Sequence, residues 1–297
     1  MGHHLGMDAA IARRVWHRLE TVNAVTYFAH ECRQAADDLG LKGFWMGYFA
    51  CRAAPMGRVG SGVVDATFFN FHPDRIRKAI PDAWTFAHPA DVVVARASSA
   101  AEALRRLLGD NAERLAEEIL PDLRAAVGVA DGTGRALFAA NRELALPADP
   151  VAALWQSATA LREHRGDGHV ALLTTTGLDG CETLVLFSAT EGLPPELFRM
   201  ARGWSEHEWV EARERLQRRG LVNEDGTATE AGGDLRKEIE RRTDELAVGP
   251  FQALGEWRVD QLIHYLDGPA RKISGADAIA YPNPMGLPPL EAEVARP

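Results

Sequence analysis

A four-residue pattern occurs twice in this chain, as Gly40-Leu41-Lys42-Gly43 and as Gly177-Leu178-Asp179-Gly180, each time between a helical stretch and an apolar segment. The residues downstream of the two copies also correspond. Phe68 to Ile76 in one case and Arg202 to Trp209 in the other each supply an aromatic residue, a capping residue and a short amphipathic helix. Upstream, Tyr27 to Arg33 stands where His164 to Val170 stands. Self-similarity of this kind points to a duplicated unit. The chain has 297 residues, and single cores stop growing at roughly 250 to 300 residues. We therefore expect two related halves, 7–140 and 141–270, followed by a proline-rich tail, 271–297.

Most segments carry helical signals. Asp149 stands as an N-cap with Pro150 at the first helical position, and Val151, Leu154, Trp155, Ala158 and Leu161 follow on one face. Ser205 and Glu208 form a capping box ahead of the stripe Trp209, Ala212 and Leu216, and Gly220 stops that helix. Further helices are predicted at about 11–38, 89–108, 111–127 and 233–247. The prolines after Tyr281 forbid a regular element there, so that segment either wraps the surface or is disordered. The opening stretch to Met7 reads as an added leader, which removes His3 and His4 from any metal argument.

Between 205 and 232, a capped helix ending Arg-Leu-Gln-Arg-Arg-Gly-Leu-Val is followed by the turn Asn223-Glu224-Asp225-Gly226 and then Thr-Ala-Thr-Glu-Ala-Gly. A helix, a short strand, an Asp-Gly turn and a return strand make a wing. The segment resembles winged-helix regulators of the multiple-antibiotic-resistance (MarR) type. The fold class expected is therefore mainly α: tandem winged-helix-like, MarR-like halves forming a pseudo-dimer, with a few short strands that include a β-wing near 221–230. The reading surface departs from that pattern. Ser205-Glu206-His207-Glu208 and the tip Glu224-Asp225 put carboxylates where a DNA reader presents cations or neutral donors, and the net charge of -9 opposes phosphate attraction. Arg213, Arg215, Arg218 and Arg219 lie at the far end and read as a solvated face paired with Glu211 and Glu214.

The densest polar run is Arg162-Glu163-His164-Arg165-Gly166-Asp167-Gly168-His169, read as a break between a helix ending near Leu161 and the apolar Val170-Ala-Leu-Leu173. Two histidines, two carboxylates and glycines that permit close backbone approach could hold an anion, a carboxylate-bearing ligand or a metal. The same residues suit a structural reading in which Asp167 caps the next helix while Arg165 and Glu163 form a surface ion pair. As metal ligands, His164 and His169 lack a standard spacing.

The stretch Leu154 to Leu173, together with Ala24-Val-Thr-Tyr-Phe28, Gly47 to Gly57 and Tyr281-Pro-Asn-Pro-Met-Gly-Leu287, resembles a large actinobacterial family of MarR-like helix-turn-helix proteins of unknown function, over nearly the whole chain. The resemblance implies a fold and no activity. The family pattern has His where Asn23 stands and Pro where His30 stands, so a role needing an imidazole at 23 does not carry over. Regulators of this type bind small molecules between their helical and winged regions. By the repeat, Tyr27 to Arg33, with Glu31, would face Glu163 to His169 across a central pocket. Phe44, Trp45, Tyr48, Phe49, Phe68, Phe69 and Phe71 are candidates for its apolar lining, or for simple core. Arg52 is a candidate cation for a ligand carboxylate, or a structural ion pair. His72, before Pro73, is read as a helix cap.

The ligand-binding set is thus Tyr27, Glu31, Arg52, Glu163, His164, Arg165, Asp167 and His169. A small-molecule-binding protein with a weak or lost DNA-reading face asks least of these residues. An enzyme would use His164 or His169 as general base, oriented by Asp167 or Glu163, with Arg52 or Arg165 stabilising developing charge. No nucleophile elbow, Walker loop or dinucleotide fingerprint supports a particular reaction, and no cofactor is identified. A ligand-responsive regulator is the third reading. Cys32, Cys51 and Cys181 form no paired motif, and no apolar run reaches membrane-spanning length, so a cytoplasmic protein is expected.

Overall fold

The computed structural model describes residues 9–290. The opening stretch to Met7, read from the sequence as an added leader, lies outside them. The first part of the chain runs α1 (Ala9–Phe28), α2 (His30–Asp38), α3 (Gly43–Ala53), a 3-10 turn (Ala54–Met56), α4 (Ser61–Phe68), α5 (Pro73–Arg77), α6 (Ala83–Phe86), α7 (Pro89–Leu108), α8 (Asn111–Val129) and α9 (Ala136–Arg142). The second runs α10 (Pro150–Thr175), α11 (Gly180–Glu191), α12 (Pro195–Arg202), α13 (Glu206–Arg218), α14 (Glu230–Ala247), α15 (Gly249–Leu254) and α16 (Glu256–Gly275).

The axis of the molecule is α10. Asp149 caps it by accepting from the Ala152 amide at 2.9 Å, and Pro150 supplies the first turn. Residues 151–161 are buried on every side, as expected of a helical stretch with small or apolar residues nearly all round, and α1, α7, α8, α9 and α14 pack against the helix. The largest buried cluster joins Val15, Leu19, Leu104, Leu123, Trp155, Phe251 and Leu266, so it draws on both sides of residue 141. A second cluster lies among α3 to α7 around Phe49, Phe71 and Ile80, and a third joins Leu184, Phe198, Trp209 and Ile239. No single helix among the described residues is long and apolar enough to cross a membrane.

The fold class read from the sequence is corrected here. The described residues are helical, without a strand or a sheet, so tandem winged-helix halves with a β-wing are not what this chain forms. At 221–230 a single antiparallel bridge joins Val222 to Ala228. The cause is local. Asp225 folds its carboxylate back onto the Thr227 amide at 2.9 Å and hydroxyl at 2.6 Å, tightening the turn. Thr229 is then committed as the N-cap of α14, accepting from the Gly232 amide, and no residues remain to extend a return strand.

Two helix boundaries also differ. The helix expected over 11–38 breaks at Ala29, which is extended (φ -73, ψ 141) and separates α1 from α2. Residues 162–169, read as a break, lie inside the unbroken α10. Gly168 has a packing reason for being glycine within a helix: a Cβ there would come within 2.7 Å of the Arg135 guanidinium that crosses it.

Candidate functional site

A cavity of about 650 Å³ opens beside α10, within the range of sites that enclose small molecules. Residues three and four apart share a helix face, and one such stripe of α10, Arg162, Gly166, His169, Val170 and Leu173, lines it. Arg13, Trp16, His17, Glu20 and Tyr27 of α1 face that stripe. Phe68, which ends α4, with Phe69 and Phe71 after it, and Phe187 and Phe198, from α11 and α12, add an aromatic wall, and Arg236, Ile239 and Glu240 come from α14. The remaining wall is the irregular segment 281–289. That segment is held by its own turn, in which buried Asn283 donates to the Leu287 carbonyl and accepts from the Met285 and Leu287 amides.

Charge in the wall is arranged as two ion clusters. Glu163, 1% exposed, accepts a two-point contact from Arg52 at 2.9 and 3.0 Å and a third bond from Arg162 at 2.8 Å. Burial alone would raise its carboxyl, but the Arg162 and Arg52 charges outweigh that and hold it at about 2. Arg162 also reaches Glu20 at 3.2 Å. In the second cluster Glu240 and Asp244 of α14 take Arg13, Arg165 and Arg236, with Arg165 at 2.9 Å from Glu240 and 3.0 Å from Asp244. The Arg165 guanidinium also stacks over Trp16 at 4.3 Å.

The sequence-predicted site residues separate into two groups. Tyr27, Arg52, Arg165 and His169 line the cavity, and Glu163 lies behind it as the anchor of Arg52. His164 and Asp167 lie on the opposite side of α10. The five-position step from His164 to His169 amounts to about 140° around a helix, so the two imidazoles share no site. The ring of His164 stands edge-on to Phe138 at 4.9 Å, and Asp167 accepts from the Phe138 amide at 2.9 Å. Burial lowers His164 to about 4, helped by the Arg135 charge, and burial raises Asp167 to about 6. His169, whose Nδ1 pairs with the Thr243 hydroxyl at 2.9 Å, is likewise lowered to about 4 by burial. Glu31 is bound by Arg106 and takes no part in the cavity.

Of the aromatic candidates, Tyr48, Phe68, Phe69 and Phe71 line the cavity, Phe49 is core, and Phe44 is 40% exposed. His72 caps α5 as read, accepting from the Asp74 amide. Among the described residues no group of three or more His, Cys, Asp or Glu side chains is placed to hold a metal. Burial pushes the Cys32 and Cys181 thiols up to about 12 and Cys51 to about 11, the reverse of an activated nucleophile.

Sequence reasoning missed Arg202, at the end of α12, as a cavity residue. The available signal was negative: the positions one turn before it are Phe198 and Arg199, so no carboxylate stands within reach on its own helix.

The segment α12–Gly203–α13 has helix-turn-helix form, and its turn is docked on the turn between α4 and α5. Trp204 donates to the Asn70 carbonyl at 3.0 Å, and the His72 amide donates to the Arg202 carbonyl at 2.9 Å. The His72 ring meets Glu208 at 2.8 Å, at the start of α13. Gly180 abuts the same turn so closely that a Cβ would lie 2.4 Å from the Phe69 carbonyl oxygen. Two of the four arginines of the α13 stretch, Arg215 and Arg219, are also committed, though not to Glu211 and Glu214 as read. Arg215 binds Asp179 at 2.6 Å and Glu182 at 2.7 Å, and Arg219 caps the carbonyls of Thr176 and Gly177.

A family model described as a helix-turn-helix family matches residues 12–280. Neither a curated protein nor a solved structure matches the chain.

Proposed function

The chain belongs to a helix-turn-helix family, and on that premise we propose that it is a small-molecule-binding protein whose ligand occupies the cavity beside α10, with a DNA-reading face that is lost or weak. The observation that carries this reading is the cavity itself, about 650 Å³ walled by aromatic side chains and arginines from distant parts of the chain. A binding pocket combines those two things, an apolar lining and a few placed polar groups. The kinship with actinobacterial MarR-like proteins and a cytoplasmic setting belong to the same reading.

The weak DNA face rests on geometry. A recognition helix inserts its N-terminal residues into the major groove. In α13 those residues are Glu206, His207 and Glu208, and Glu208 is tied to His72. Carboxylates at that end repel phosphate, and Arg215 behind them is already paired with Asp179 and Glu182. An enzyme reading has less support, because His164 and Asp167 lie away from the cavity and His169 faces it with only a threonine hydroxyl at its Nδ1.

Native mass spectrometry of the full chain purified from its own host tests the binding reading. A population heavier by one small molecule, lost on collisional activation, is expected. Saturating that molecule at about a hundred times its Kd should add roughly 2.7 kcal/mol of stability. Apo protein alone, together with retardation of its own promoter duplex at low salt, would reverse the proposal in favour of a conventional regulator.

A further inference from the structure

Six arginines line the cavity, at 13, 52, 162, 165, 202 and 236. Five have carboxylate partners: Arg52 and Arg162 in the Glu163 and Glu20 cluster, and Arg13, Arg165 and Arg236 in the Glu240 and Asp244 cluster. Arg202 differs. It is 7% exposed, its Nη2 donates to the Pro284 carbonyl at 2.6 Å, and its buried Nε has no hydrogen-bond partner among the described residues. A carbonyl oxygen satisfies one donor without neutralising a charge. The guanidinium otherwise rests on the face of Phe71, 4.4 Å from its centroid. Burial pulls its affinity for a proton down, and the like charges of Arg52 and Arg162 act in the same direction. An unpaired buried charge is among the costliest arrangements a fold retains.

The missing element is an anion supplied from the cavity. We propose that Arg202 is the counter-ion of the ligand, and that the ligand is an amphipathic organic anion whose carboxylate-type head pairs with the Arg202 guanidinium. Its apolar body lies against the wall formed by Phe68, Phe69, Leu184, Phe187 and Phe198. This rests on the binding reading above and adds the chemistry. A planar oxyanion matches the guanidinium fork, and the two arginines of the Glu163 cluster are balanced by Glu163 and Glu20. Arg13, Arg165 and Arg236 share Glu240 and Asp244, so Arg202 is the lining arginine with no carboxylate partner among the described residues.

The test compares two fluorescent probes with the same aromatic body, 8-anilinonaphthalene-1-sulfonate, which carries an anionic head, and N-phenyl-1-naphthylamine, which has none. Both should bind the intact chain at one site. Arg202→Met should weaken the sulfonate by about tenfold or more while changing the neutral probe less than about twofold, and Arg202→Lys should recover part of the loss. An unchanged ratio in Arg202→Met would overturn the proposal. Should that variant fail to fold, displacement from the wild type decides. 1-Naphthoate is expected to displace the neutral probe at about a tenth of the concentration needed by 1-naphthalenemethanol, and equal potency overturns the anion assignment while leaving the binding reading in place. A wild type that binds neither probe removes both.

Discussion

Replacing Glu163 by glutamine tests whether the arginine-rich wall is held by one buried carboxylate. The side chain is 2% exposed and carries three charge-assisted bonds, two from Arg52 and one from Arg162. Glutamine keeps the shape and offers a single neutral acceptor, so two guanidinium groups stay buried with their shared counter-charge removed. Breaking a buried ion pair from one side costs about 3 to 5 kcal/mol. The titration gives the same order, since a carboxyl held at about 2 and not at 4.5 favours the charged form by about 3 kcal/mol. Urea unfolding at pH 7, followed by circular dichroism and tryptophan fluorescence, should show that loss, with a Tm lower by on the order of 10 °C. Because the folded-state value is depressed, the wild type's advantage is complete above about pH 4.5 and is lost as pH falls toward about 2. A double replacement, Glu163→Leu with Arg52→Met, leaves Arg162 its Glu20 partner and should return to within about 2 kcal/mol of wild type. A Glu163→Gln protein within about 1 kcal/mol of wild type at pH 7 would refute the reasoning.

Mild acid should also destabilise the wild type. Between pH 6.5 and 5 the unfolded chain takes up protons at His164 and His169 that the folded chain, with both held near 4, refuses. Asp167, raised to about 6, opposes them by binding its proton more tightly when folded. The net loss is about 1 to 2 kcal/mol, and it should vanish or change sign in a His164→Gln, His169→Gln double variant measured at the same two pH values. Gly180→Ala should cost more than about 2 kcal/mol, since its Cβ would strike the Phe69 carbonyl at 2.4 Å. Gly128→Ala, in a helix with open space around it, should gain up to about 1 kcal/mol. Chemical denaturation of both settles the contrast, and equal effects would contradict the close approach. Ser205→Ala should cost about 1 kcal/mol through loss of the capping box, again read by denaturant midpoint.

What the sequence made legible was local. Asp149 with Pro150, and Ser205 with Glu208, mark helix starts because the partners lie within three residues. The polar run 162–169 misleads for the opposite reason. Its charges are satisfied by Arg52, Glu240 and Asp244, which are remote in sequence, and Gly168 admits Arg135, so a stretch that looks like a loop is a continuous helix. The same distance explains the cavity. Tyr27, Arg52, Arg165 and His169 could be named as ligand-binding candidates, but only tertiary structure separates them from His164 and Asp167 on the far side of α10. The wing failed on length, because the Asp225 turn and the Thr229 cap consume the residues a strand would need. Arg202 escaped because an absent partner leaves no pattern to read.

The segment 281–289 gives the cavity a division of labour. Its turn is held by hydrogen bonds radiating from Asn283, with His17, Arg202 and Ser274 bonded to it from the helices, and it contributes no turn of helix whose loss would spread along the frame. Arg13, Arg52 and Arg165 opposite are the reverse, since they join α1, α3, α10 and α14. Substitutions in the irregular wall can therefore remodel the outline of the cavity while the two ion clusters stay where the helices put them, and Arg202, held by the Pro284 carbonyl, follows the segment. The outline of the cavity and its paired charges are thus set by different parts of the chain, and the outline can change without rebuilding the core.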